Sequence, residues 1–153
     1  MQLHSFKSQR GVAMVEFAIT LPLLLLLLLA IGEIARMLYQ YNSLLQASRD
    51  AARFVATNAW NATLGRVDLS SDPQLVSKAK NLAVYGLPNN SGTALVPGLT
   101  AANVQVSQVG SEHVQVSIIY NFQPVIGSQL TTFFGAPIAL GIPLTSTVVM
   151  RAL

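Results

Sequence analysis

The chain has 153 residues, a formal net charge of +3, and only 10% Asp, Glu, Lys and Arg against 52% apolar residues. It has no Lys/Arg-rich run, so the electrostatic footprint of a nucleic-acid binder is missing. The lack of cysteine excludes disulfides, Cys-zinc sites and a thiol nucleophile. The length suits one small domain plus an appendage, and much of the apolar excess falls in the first third.

Residues 1–11 form a short polar head that carries Lys7 and Arg10. From Phe17 to Gly32 there is no charge, and Leu23–Leu29 are consecutive leucines; counting from Gly11, Glu16 is the only charge before Glu33. A membrane-spanning helix needs roughly 17–25 predominantly apolar residues. Residues 12–32 meet that requirement and are expected to cross a bilayer. Lys7 and Arg10 precede the span, which keeps the N-terminus cytoplasmic and sends the C-terminal part out. A cleaved secretory signal fits less well. Its apolar core is about 7–15 residues long, and here the helical pattern continues past Gly32 without a break.

Residues 33–57 extend the same helix. Ile34, Leu38, Tyr41, Leu45, Ser48, Ala52 and Val55 alternate steps of four and three, which lines one helical face. This face is expected under a sheet, with Leu38, Tyr41 and Leu45 near Val116, Ile118 and Tyr120. Glu33 and Arg36 read as the end of the span rather than a site. Pro22 removes a backbone donor within the apolar half. Asn61-Ala-Thr63 fits a glycosylation sequon too short to carry weight. Asp72-Pro73 signals a second helix, with Asp72 as N-cap and Gly86 as its stop. Leu75, Val76, Ala79, Leu82 and Ala83 form its apolar face.

The remainder reads as strands. Val104 and Val106 open one. Val114 to Phe122 alternate cleanly after a hairpin loop at 110–113, and residues 143–151 make a third strand rich in β-branched side chains. Between the last two lies "TTFFGAPIALGIP", apolar but broken by Gly and Pro, with no clear period. It suits a buried edge, a membrane-proximal loop or a partner surface. The fold class is therefore α+β: a long N-terminal helix, transmembrane and then amphipathic, packed on an antiparallel sheet of about three strands, plus one short helix. The C-terminal domain would be residues 58–153. His4 and His113 have no metal-ligand spacing around them, and no phosphate loop or nucleophile motif is present. The sequence thus offers no catalytic, cofactor or metal site, and the chain reads as a structural or assembly protein rather than an enzyme.

"RGVAMVEFAITLPLLLLLLLAIGEIARMLYQYNSLLQASRDAAR" resembles the TadE-like family, the pseudopilins of the tight-adherence (Tad/Flp) pilus system. The resemblance rests on Arg10-Gly11, Glu16-Phe17, the leucine run with Pro22, and Ala47–Arg53, and it covers about residues 9–56. It implies a pilin-like fold and a leader cut after Gly11 by an inner-membrane prepilin peptidase. The mature chain would then begin at Val12, with Glu16 four residues on. The new α-amino group has an ordinary pKa of about 7.7–8.0 and is mostly positive at neutral pH. Glu16 could pair with it in its own chain or in a neighbouring subunit, which would make Glu16 an assembly contact. The implied partners are the peptidase, other pilin or pseudopilin subunits, the inner-membrane Tad platform and the bilayer. The implied location is the inner membrane, single-pass, with the domain in the periplasm. Two other readings compete: a membrane-anchored periplasmic binding module outside any pilus, and a secreted protein starting near Glu33.

Overall fold

The computed structural model describes residues 9–125, 127, 129–130 and 135–152, with the side chains of Gln9, Arg10 and Leu130 left out. Lys7 and most of the expected leader lie outside the described residues. Helix α1 runs from Gln9 to Asn58 without a break, through Pro22. Its 50 residues correspond to about 75 Å at 1.5 Å per residue. The sequence reading placed its ends a few residues further in, and it is one helix as expected.

A short hairpin follows, β1 (Trp60–Asn61) with β2 (Arg66–Val67). Its turn is held by the Asn61 side chain, whose Oδ1 accepts from the backbone N–H of Thr63 at 3.0 Å and of Leu64 at 3.1 Å. Helix α2 (Leu75–Tyr85) begins two residues later than expected, because Asp72 Oδ1 caps the N–H of Gln74 ahead of the helix proper. It ends as expected at Gly86, whose φ of 73° is the left-handed conformation that glycine adopts without a Cβ penalty. Leu75, Ala79, Ala83 and Val84 are its buried residues.

A 3-10 turn, Ala101–Asn103, leads into β3 (Val104–Val109), and Gly110, at φ 66°, turns the chain back into β4 (His113–Asn121). Strands β5 (Gln129–Leu130) and β6 (Ile138–Ala139) make a separate two-residue ladder, and β7 (Pro143–Arg151) closes the domain. The main sheet is antiparallel in the order β3-β4-β7, with Val116 opposite Val106 on one side and Val148 on the other. On β4 the side chains of Val114, Val116, Ile118 and Tyr120 are buried while His113, Ile119 and Asn121 are exposed. That alternation is what a sheet covered on one face requires.

The cover is the second half of α1 together with α2. The α1 residues Leu44, Ala47, Ala51, Ala52 and Val55 are all at most 3% exposed. Four of the core residues on this stretch of α1 are alanine, which lets α2 lie close through Ala79 and Ala83. Ser48 and Ser146 share a buried hydrogen bond of 2.6 Å that ties the helix to β7.

The phase of the helical stripe is a correction. Leu38 is 53% exposed, as is Ile34, and Tyr41 and Leu45 are half-buried. The buried line runs instead through Glu33, Gln40, Leu44, Ala47 and Ala51, with Met37 partly covered, and it joins the expected line only from Ser48 onward. Both phases step by four and three. The occupied one includes a glutamate and a glutamine that apolar periodicity passes over.

Candidate functional site

Two places on α1 hold the residues of interest. The first is the N-terminal end. Gly11, Val12 and Glu16 lie on consecutive turns of a helix that touches nothing else in the described chain. Residues 11–25 are all exposed, and a Cβ built on Gly11 meets nothing within 4 Å. Glycine in a helix interior costs about 1 kcal/mol relative to alanine, so the fold of this chain gives no reason for Gly11. Gly32 is equally open. What distinguishes Gly11 is its place between Arg10 and Glu16. The backbone carbonyl of Glu16 accepts a hydrogen bond from Thr20 Oγ1 at 2.9 Å. Among the described residues no ion pair or hydrogen bond engages the Glu16 carboxylate. The structure thus places Gly11, Val12 and Glu16 on one bare helix but joins them to no other part of the chain. Lys7 is outside the described residues, and so is the side chain of Arg10.

The second place was missed by sequence reasoning. Glu33, one residue past the apolar run, is only 6% exposed. Its Oε1 accepts the backbone N–H of Val125 at 2.7 Å, which ties the segment after β4 to the helix. Its other oxygen lies 3.5 Å from Arg36 Nη1. The Arg36 guanidinium in turn sits over the Phe122 ring, 5.5 Å from its centroid, at a range where a cation is attracted to the π face. Burial pushes the nearby Tyr120 phenol above its ordinary pKa, and the positive charge of Arg36 acts in the opposite direction. The Tyr120 hydroxyl donates to the carbonyl of Pro97 at 2.7 Å. From sequence, Glu33 and Arg36 mark the end of the span rather than a site. Sequence offered one signal of their role: Glu33, Met37, Gln40 and Leu44 also follow the four-three step.

The first half of α1 is a candidate membrane span by length and composition, with a mean hydropathy of 2.6 in its most apolar window and none of that window buried. Among the described residues no group of His, Cys, Asp or Glu is arranged to hold a metal ion. The molecule is therefore of the class that carries a small α+β domain on one long, partly bare apolar helix, consistent with single-pass anchoring.

Residues 11–53 match the family described as TadE-like protein. The match falls in the segment that carries the resemblance, and the chain is similar to the family over that segment. The match begins at Gly11 and covers most of α1, while the hairpin, α2 and all the sheet strands lie outside it. No curated protein and no solved structure matches the chain.

Proposed function

We propose that the protein is a pseudopilin of the Tad pilus system, a membrane-anchored subunit that serves pilus assembly and is not an enzyme. In this reading Lys7 and Arg10 hold the N-terminus in the cytoplasm and residues 58–153 face the periplasm. A prepilin peptidase cuts between Gly11 and Val12. Glu16 then meets the new α-amino group of Val12 in its own chain or in a neighbouring subunit, and the second pairing sets the axial register between helices. Its partners are the peptidase, other pilin or pseudopilin subunits, and the Tad assembly platform of the inner membrane.

The observation that carries this reading is that the TadE-like match begins at Gly11, on a helix where Gly11 and the Glu16 side chain are exposed and packed against no other element among the described residues. A glycine that its own fold does not require suits a protease that must approach the backbone closely. A carboxylate entering a bilayer is disfavoured by about 2.5–3.5 kcal/mol at a helix centre, less near the interface. A cation on another subunit would offset that cost.

The test is the mass of the protein purified from its own host, combined with a piliation assay of Glu16→Ala. The expected results are a mature chain starting at Val12 and a mutant that is inserted and cleaved but supports no pili. An intact leader would favour the membrane-anchored periplasmic module instead. Normal piliation by Glu16→Ala at normal protein levels would remove Glu16 from the assembly contact.

A further inference from the structure

The segment between β4 and β7 was singled out by its sequence and is not used by the reading above. Its described residues pack against α1 at the turn just beyond the apolar run. Val125 is bonded there to Glu33, and Phe122, Ile138, Leu140 and Ile142 face Ile34 and Met37 across a cavity of about 210 Å³. The backbone N–H of Phe122 donates to the carbonyl of Ile142 at 3.0 Å, which holds the two ends of the segment together. Its outer surface is apolar: Val125 is 75% exposed, Ile138 54% and Ile142 44%.

The charge distribution matches this placement. Residues 113–150 contain no Asp, Glu, Lys or Arg. Of the two charges at this level of the helix, Glu33 is buried under the segment, and Arg36, one-third exposed, is paired with it. The opposite end of the domain is charged, with Arg151 bonded to Glu112 at 2.9 Å beside Arg53 of the helix. The two ends are well separated. Strand β4 runs about 26 Å from His113 to Asn121 at about 3.3 Å per residue, and α1 covers a similar distance from Arg53 back to Arg36.

We propose that Val125, Ile138 and Ile142 form a lipid-contacting foot that rests in the outer interface of the bilayer beside the span. The inference rests on the membrane-anchor reading. The occupant follows from continuity: residues 12–32 cover about 32 Å, the thickness of a hydrocarbon core, so Glu33 lies at the outer boundary and the segment bonded to it lies at the same height. Burying apolar side chains there is favourable in proportion to the area removed from water. Burying Glu33 and pairing it with Arg36 lowers the cost of holding charge at that height. The foot therefore fixes the domain upright against the membrane and defines which of its faces looks outward.

The natural absence of cysteine makes the test direct. Full-length Val125→Cys, Ile138→Cys and Ile142→Cys are nitroxide-labelled in vesicles of phosphatidylethanolamine and phosphatidylglycerol, with Leu24→Cys in the span and Val109→Cys at the far end of β3 as references. Accessibility to oxygen and to a water-soluble nickel chelate is read for each. The expected result is an oxygen-to-nickel ratio at 125, 138 and 142 several-fold above that at 109 and shifted toward that at 24. Ratios equal to that at 109, with Leu24→Cys lipid-like, would overturn the foot and leave the anchor standing. Low accessibility to both reagents would overturn it in favour of a second copy of the chain. A water-like Leu24→Cys would overturn the anchor and the foot together.

Discussion

Helix α1 is one continuous element with two unlike halves. Before Gly32 its described side chains meet no other element, whereas from Glu33 onward the same helix supplies much of the core of a folded domain. The first half is selected for solvent and for what lies outside the molecule. The second half is selected for fit, which shows in its buried alanines and in the hydroxyl pair that joins it to β7. Backbone propensity is satisfied alike in both, so what separates them is the set of neighbours. The TadE-like match crosses this divide, ending at Arg53, and so spans both a surface with no internal partner and one with many.

The comparison breaks most plainly by truncating one leucine in each half. Leu44 is 0% exposed, and Leu44→Ala is expected to destabilise the domain by about 2–5 kcal/mol. Leu24→Ala, and Leu38→Ala on the outer face, should change it by less than about 0.5 kcal/mol. Urea unfolding of the full-length protein in detergent micelles measures all three. Equal losses at Leu44 and Leu38 would mean that the stripe has the other phase.

The boundary between the halves can be sharpened at Glu33. Glu33→Ala leaves the Val125 N–H without its acceptor and Arg36 without its counter-charge, and should cost about 1–3 kcal/mol in the same unfolding assay. Glu33→Gln keeps an acceptor and should lose less. If the two variants unfold together with wild type, Glu33 does not hold the segment.

A smaller effect is expected inside the packed half. Ser48→Ala should lower stability by about 1 kcal/mol, because the Ser146 hydroxyl is left buried without its partner. Adding Ser146→Ala should recover part of that loss in a double-mutant cycle. A double mutant that shows the full sum of two independent losses would argue against a coupled pair.

The smallest effect lies at the end of the short hairpin that follows the helix. The Ser70 hydroxyl and backbone N–H both donate to Asp68, and they hold its carboxyl below its ordinary value of 3.8. Arg66 adds to the lowering and slight burial opposes it. The stabilisation is therefore fully present above about pH 4 and is lost as pH falls through the lowered folded value. Carboxyl NMR titration should show the Asp68 midpoint move up in Ser70→Ala. An unmoved midpoint would remove the hydroxyl as its cause.

Much of this architecture was legible in the sequence because its signals are local. The apolar run, the strict alternation from Val114 to Phe122, and the Gly86 stop each act over a few residues. The main sheet accordingly has the three strands that the pattern implied. The phase of the α1 stripe was not legible before Ser48. Ile34 and Leu38 are more apolar than Glu33 and Gln40, yet it is the polar pair that faces inward. That choice depends on Val125 and Phe122, almost a hundred residues away, whose arrival gives Glu33 a donor and Arg36 an aromatic face. Of the residues expected at the site, Gly11, Val12 and Glu16 stand out in the sequence by their order alone. The geometry adds that all three are exposed and that a Cβ on Gly11 would meet nothing among the described residues.

The bare half of α1 also limits how the subunit can travel. Side chains of this size gain about 1.5–3 kcal/mol each when fully removed from water, so exposing the run Leu23–Leu29 to water costs on the order of 10 kcal/mol. A lone copy drawn out of lipid would have to be supplied with that work before it reached anything. In the proposed assembly role, a path that passes the helix directly from the bilayer to another apolar surface avoids that cost.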